Sequence, residues 1–248
     1  MPSNITPPWY QTTIGRVFLG VLIAVLILIT VFGSLIIYYF WKIKAGGGAE
    51  LAQTFDRQFT LDPAKAAIKA TNQITKDARL FIRAENPQLG ESSAPVTILA
   101  FIDFECPFCQ ESYPIFQEVV ERYGPAVRVV FKHLPVPQLH PHATSAHLAA
   151  ACAQEQNKFW PYYDQLFTNK LLTDASLLDE AKTLALDVNR FQSCWRAKKY
   201  EKDIQQDLLD GAELGIRGTP TYIVNQTKLE GVAPKEVWDT VIINELKK

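Results

Sequence analysis

VTILAFIDFECPFC (residues 96–109) is an apolar run, rich in branched side chains, that ends on two cysteines separated by two residues. A short continuous hydrophobic segment preceded by breakers, here Asn86, Pro87, Gly90 and Pro95, reads as a strand buried on both faces. Downstream, QESYPIFQEVVERYG (110–124) sets Ile115, Phe116, Val119, Val120 and Tyr123 at helical spacing and stops at a glycine. The C-x-x-C pair therefore sits where a strand hands over to a helix.

That position has a chemical consequence. At a helix N-terminus the macrodipole and the unpaired backbone N–H groups favour a thiolate, so Cys106 is expected to be the nucleophile. Cys109, one helical turn inward, is expected to be the buried resolving thiol. Pro107 suits the first helical turn because no hydrogen bond is asked of its nitrogen, and Phe108 brings an apolar surface without charge. Asp103 and Glu105 flank the pair, and their negative charge works against a thiolate at Cys106. Zinc requires four ligands, commonly as two close pairs, whereas the remaining cysteines, Cys152 and Cys194, stand apart in two different expected helices. Redox chemistry with no metal is preferred on that ground. Cys152 and Cys194 are read either as a long-loop disulfide or as two buried thiols.

A second element lies far downstream in RGTPTYIVN (217–225), where Pro220 opens an apolar strand. Proline is tolerated at the first residue of a strand, and a cis peptide there would present the backbone of Thr219. Between the two elements, segments covering 143–156, 159–169, 176–186, 188–200 and 202–215 are apolar at helical period and are divided by Asn, Asp, Thr or Pro. Further strands are expected over 127–134, 221–225 and 226–231, with a closing helix over 234–248. The aromatic set Phe159, Trp160, Tyr162, Tyr163, Phe167, Phe191 and Trp195 sits at helical spacing, which is the pattern of core more than of a substrate groove.

Upstream the character changes. VFLGVLIAVLILITVFGSLIIYYFW (17–41) has no charged residue, and about 20 apolar residues suffice to cross a bilayer as a helix. The expectation is an uncleaved transmembrane anchor at 17–41 in contact with lipid, after an N-terminal tail at 1–16. A linker at 42–77 follows, with a spacer helix starting at Asp62-Pro63, and then the main domain at 78–248. Charge flanking the apolar run slightly favours a cytoplasmic C-terminal domain; an even cysteine count with one reactive pair favours the opposite side. The extracytoplasmic side is preferred. The whole chain holds 25 Lys+Arg against 26 Asp+Glu, which lacks the basic surface that nucleic-acid binding needs.

Taken together, the chain resembles the thioredoxin superfamily, and within it the DsbA-family thiol:disulfide oxidoreductases of the membrane-anchored bacterial kind. The likeness is carried by Leu89-Gly90, Ala94-Pro95-Val96-Thr97, the stretch 101–109, FKHLPV (131–136), HPHA (140–143), EQNKFW (155–160) and RGTPTYIVN. The resemblance implies an α/β thioredoxin fold with a helical domain inserted at about 140–214, and a loop of Thr219 and Pro220 lying against Cys106 and binding extended substrate. It also implies a bridge between Cys152 and Cys194, no cofactor beyond the redox disulfide, exported proteins as substrates, and a quinone-linked reoxidation partner of the DsbB or VKOR type. The implied location is the bacterial cell membrane, single-pass, with the catalytic domain outside.

The sequence departs from that family at two places. Many relatives carry an acid six residues before the first cysteine, where this chain has Ala100, so proton handling is expected to fall to Asp103, Glu105 or water. Strong oxidants of the family have His before the second cysteine, where Phe108 stands here. His140 and His142 flank Pro141 in a loop and read as solvated, and His133 ends a strand. Two alternatives stay open: a reductase or isomerase, since direction depends on potential and partner, and a copper-binding or delivery module using the two thiols.

Overall fold

The computed structural model describes residues 13–42, 73–74 and 76–248. The chain divides into two compact units, Met1–Leu61 and Asp62–Lys248. In the first, helix α1 runs Thr13–Lys42. Among the described residues no helix is long and apolar enough to cross a membrane. The expected transmembrane anchor at 17–41 is corrected on that finding, and with it the bilayer contact and the single-pass location in a bacterial cell membrane with an extracytoplasmic catalytic domain. The spacer helix expected from Asp62-Pro63 and most of the 1–16 tail lie outside the described residues.

The second unit is built on a five-stranded sheet. Its strands are β1 (Gln88–Leu89), β2 (Val96–Ile102), β3 (Val127–His133), β4 (Thr221–Val224) and β5 (Thr227–Glu230), in the order β1-β3-β2-β4-β5. Only β2 and β3 run parallel; the other neighbours are antiparallel. β2 is central and every one of its residues is buried. Its period of two divides them between two cores: Val96, Ile98, Ala100 and Ile102 enter one cluster, Leu99 and Phe101 the other. Each such large apolar side chain contributes about 1.5–3 kcal/mol by leaving water.

Helix α2 (Pro107–Tyr123) covers the first core with Phe116 and Val119, and α8 (Lys235–Leu246) joins it through Trp238 and Ile242. Pro114 stands inside α2 on its exposed side. Between β3 and β4 the chain forms five helices: α3 (Ala143–Gln154), α4 (Phe159–Asn169), α5 (Asp174–Thr183), α6 (Val188–Arg196) and α7 (Glu201–Glu213). Phe159, Tyr162, Tyr163, Phe167 and Phe191 are core residues there, and Trp160 and Trp195 pack against them. Disulfide-bonded Cys152 and Cys194 join α3 to α6.

Helix α7 returns to the opposite face of the sheet. Gly211 lets it approach closely, since a Cβ there would meet Leu134 Cδ1 at 3.0 Å and Phe101 at 3.5 Å. The same contact holds a buried charge cluster. Lys132, fully buried on β3, pairs with Asp207 and, at 2.7 Å, with Asp210, and Arg83 also bonds Asp210. Asp207 further accepts the His133 backbone N–H at 2.9 Å.

Two features went beyond expectation. β1, only two residues long, sits in the breaker-rich stretch before β2 and pairs with β3 through its backbone, which no side-chain pattern announces. Contacts of this domain also begin inside the stretch read as linker, where Gln73 bridges to Thr227 and Ile74 N donates to Gln226 O at 2.9 Å.

Candidate active site

β2 ends at Ile102, and the turn Asp103-Phe104-Glu105 delivers Cys106 to the N-cap of α2 with φ −68° and ψ 123°. An extended N-cap whose carbonyl already accepts the first helical bond is the usual helix start, and Gln110 N donates to Cys106 O at 3.0 Å. Pro107 follows at the first helical position, where a missing N–H costs nothing. Cys109 lies one turn inward. Cys106 is 4% exposed and Cys109 1%, and both are free thiols.

The two sulfurs are electrostatically unlike. The Cys106 pKa is lowered to about 5, first because the Cys109 thiol donates to it, with the Thr219 side chain and the backbone N–H groups of Cys109 and Phe108 adding to this against the opposing effect of burial. Cys109 is pushed well up, chiefly by burial and then by its bond to Cys106. Donation from the Asp103 backbone N–H, 3.5 Å from Cys109 Sγ, acts against that rise. One sulfur is therefore a stabilised thiolate and good leaving group, the other a retained proton donor.

The segment before β4 faces this pair. The Thr219–Pro220 peptide is cis, and Thr219 O lies 3.3 Å from Cys106 Sγ. Pro220 O accepts from Gly231 N at 2.8 Å, which ties the segment to the end of β5. Behind it, Tyr222 OH shares a 2.9 Å hydrogen bond with Ser112 Oγ on α2.

Asp103 and Glu105 are engaged by the segment that follows β3. The fully buried Asp103 carboxylate accepts from Glu105 N (2.9 Å), Val136 N (2.9 Å) and His140 Nδ1 (2.8 Å). Glu105 Oε2 accepts from His142 N at 2.6 Å. His140 is thus no solvated loop residue: its side chain is 15% exposed and paired with Asp103. Ala100, at the position where the resemblance implied an acid, is buried on β2 in register with Phe131 on one side and Tyr222 on the other.

Exposed Phe108 and Leu139 offer apolar surface on the two segments so joined. Sequence reasoning also missed His147, whose Nδ1 lies 2.8 Å from His133 Nδ1 in a buried pair, with the His147 ring tilted against Phe104 and the His133 ring edge-on to Phe131. Its helical spacing among alanines marks it as core and gives no hint of the partner. Among the described residues no group of three or more His, Cys, Asp or Glu side chains is placed to hold a metal ion.

A family model described as Thioredoxin matches residues 83–244. The Na(+)/H(+) antiporter NhaA 3 of Salinispora tropica is 39% identical over 144 residues, which are 57% of this chain and 22% of that protein. The chain spans only about a fifth of the length of the curated relatives it matches. A thioredoxin-like oxidoreductase from Silicibacter pomeroyi DSS-3 superposes with a TM-score of 0.62 at 25% identity, over 68% of this chain and 96% of that one. The thiol-disulfide exchange protein alpha-DsbA2 from Wolbachia pipientis shares the fold with a TM-score of 0.61 at 19% identity, over 73% and 96%. With the family model covering more than half of its length, the chain belongs to the thioredoxin family.

Proposed function

We propose that the protein works in the oxidising direction, introducing disulfides into exported proteins. The supporting observation is the asymmetry of the pair: Cys106 at the helix N-cap, held as a thiolate, beside a buried Cys109 held as a thiol. Stabilising the dithiol form makes the disulfide form an oxidant.

In the forward cycle a substrate thiolate attacks Cys106 Sγ of the oxidised pair. The Cys106–Cys109 bond breaks, and Cys109 leaves and takes up a proton. A second substrate thiolate then attacks the substrate sulfur of the mixed disulfide and Cys106 leaves as its thiolate. The substrate loses two electrons to become a disulfide, and the enzyme gains them as a dithiol. Thr219 and Pro220 would hold the extended substrate beside Cys106, and Phe108 and Leu139 would give its apolar side chains a surface. A quinone-linked membrane partner of the DsbB or VKOR type would reoxidise the dithiol. The Cys152–Cys194 disulfide accords with work in an oxidising compartment.

The test is trapping. Cys109→Ser protein first charged at Cys106 as a mixed disulfide with glutathione should, on addition of a reduced protein substrate, release glutathione as its thiolate and accumulate a substrate–Cys106 mixed disulfide visible by mass, and Cys106→Ser none. Absence of any adduct on the Cys109→Ser protein would overturn the proposal.

A further inference from the structure

We infer that Asp103 and His140 form a positioning pair that fixes the turn carrying Cys106 and so sets the balance between the dithiol and the disulfide. This rests on Cys106–Cys109 being the redox pair, and concerns residues that themselves touch no substrate.

Asp103 reaches both cysteines through its backbone. Its carbonyl accepts the Cys106 N–H at 3.3 Å, and its N–H points at Cys109 Sγ at 3.5 Å. Whatever orients the Asp103 peptide therefore orients both sulfurs. Its side chain is what holds it: one carboxylate oxygen takes the Glu105 N–H and closes the turn, and the other takes Val136 N–H and His140 Nδ1.

His140 is itself anchored, since its N–H donates to Val136 O at 2.9 Å and its carbonyl accepts Ala143 N at 3.1 Å, where α3 begins. The ring is thus a strut between the first helix of the insert and the active-site turn. A carboxylate with no exposure is costly unless its oxygens are bonded, so loss of the one side-chain donor obliges the turn to rearrange. Glu105, reaching the His142 N–H, supplies a parallel tie between the same two segments. The charged and titratable groups gathered around the turn are Asp103, Glu105, His140, His142, Cys106 and Cys109.

The experiment follows the Cys106 thiolate by its ultraviolet absorbance against pH, and the equilibrium with glutathione, in the full chain. His140→Ala is expected to raise the Cys106 midpoint by about one unit as the N-cap geometry loosens, and to move the glutathione equilibrium about tenfold toward the disulfide. His140→Asn, whose amide nitrogen falls close to the position of Nδ1, should restore most of both. His142→Ala removes a side chain that makes neither tie and should change neither. If His140→Ala does not fold, His140→Leu, of similar volume and without a donor, takes its place.

Retention of the wild-type midpoint and equilibrium in the donorless variant overturns the inference, as does equal behaviour of the Asn and Ala variants. If the midpoint moves as stated but no dithiol is oxidised, the positioning pair stands and the oxidase direction fails.

Discussion

Ser112 and Tyr222 share a buried hydrogen bond of 2.9 Å that ties the active-site helix to the strand beginning just after Pro220. The bond joins the two halves of the site at a point shielded from water, one turn beyond Cys109 and two residues beyond the cis-Pro. Burial pushes the Tyr222 hydroxyl strongly up, so it remains a neutral donor or acceptor at any ordinary pH.

Tyr222→Phe is therefore expected to cost about 1–2 kcal/mol, because it leaves the Ser112 hydroxyl buried without its partner. Denaturant midpoints at equal m value measure this. The double variant with Ser112→Ala should recover part of the loss, since removing both hydroxyls leaves no orphan.

The Lys132 cluster gives a larger effect. Lys132→Met leaves Asp207 and Asp210 facing each other around a buried site with only Arg83 to offset them. Burial already pushes Asp207 up, and the Lys132 charge is the first thing opposing that. The expected loss is about 3–5 kcal/mol, read from urea unfolding at pH 7. Stability near wild type would show that α7 is fastened to the sheet by packing at Gly211 and not by these charges.

Acid should weaken the domain through the His133–His147 pair. Burial lowers His133 to about 3, helped by Lys132, and burial lowers His147 well below its ordinary 6.5. Above about 6.5 both are neutral whether folded or unfolded and contribute no pH dependence. Below it the unfolded chain takes up protons that the folded chain refuses. Stability therefore falls as pH drops from 6.5 toward 3, by up to about 1.4 kcal/mol per unit for each histidine. His147→Phe, which also removes the unpartnered Nε2, should flatten the slope between pH 6.5 and 5 relative to wild type. An unchanged slope would sink this account.

What the sequence discloses is whatever repeats or punctuates. The buried run before Cys106, the helical period after it, Pro220 opening a strand and the apolar helices between them are local patterns, and each marks its element without reference to the rest of the chain. The ties between elements are not local. His140 reads as a loop residue because nothing near it in sequence shows that it meets Asp103, and Lys132 alternates with core residues on β3 while its partners lie far along on α7. Apolarity alone also set the expected role of residues 17–41, which the described part of α1 did not sustain. β1 escaped because a two-residue strand has no period to detect.

The oxidase claim meets its most direct test in the equilibrium of the purified full chain against a graded series of reduced and oxidised glutathione, with Cys106→Ser as control. A single transition at Cys106–Cys109 above roughly −200 mV, absent from the control, is predicted. A potential near or below that of thioredoxin, about −270 mV, would contradict it and make reduction the task of this site.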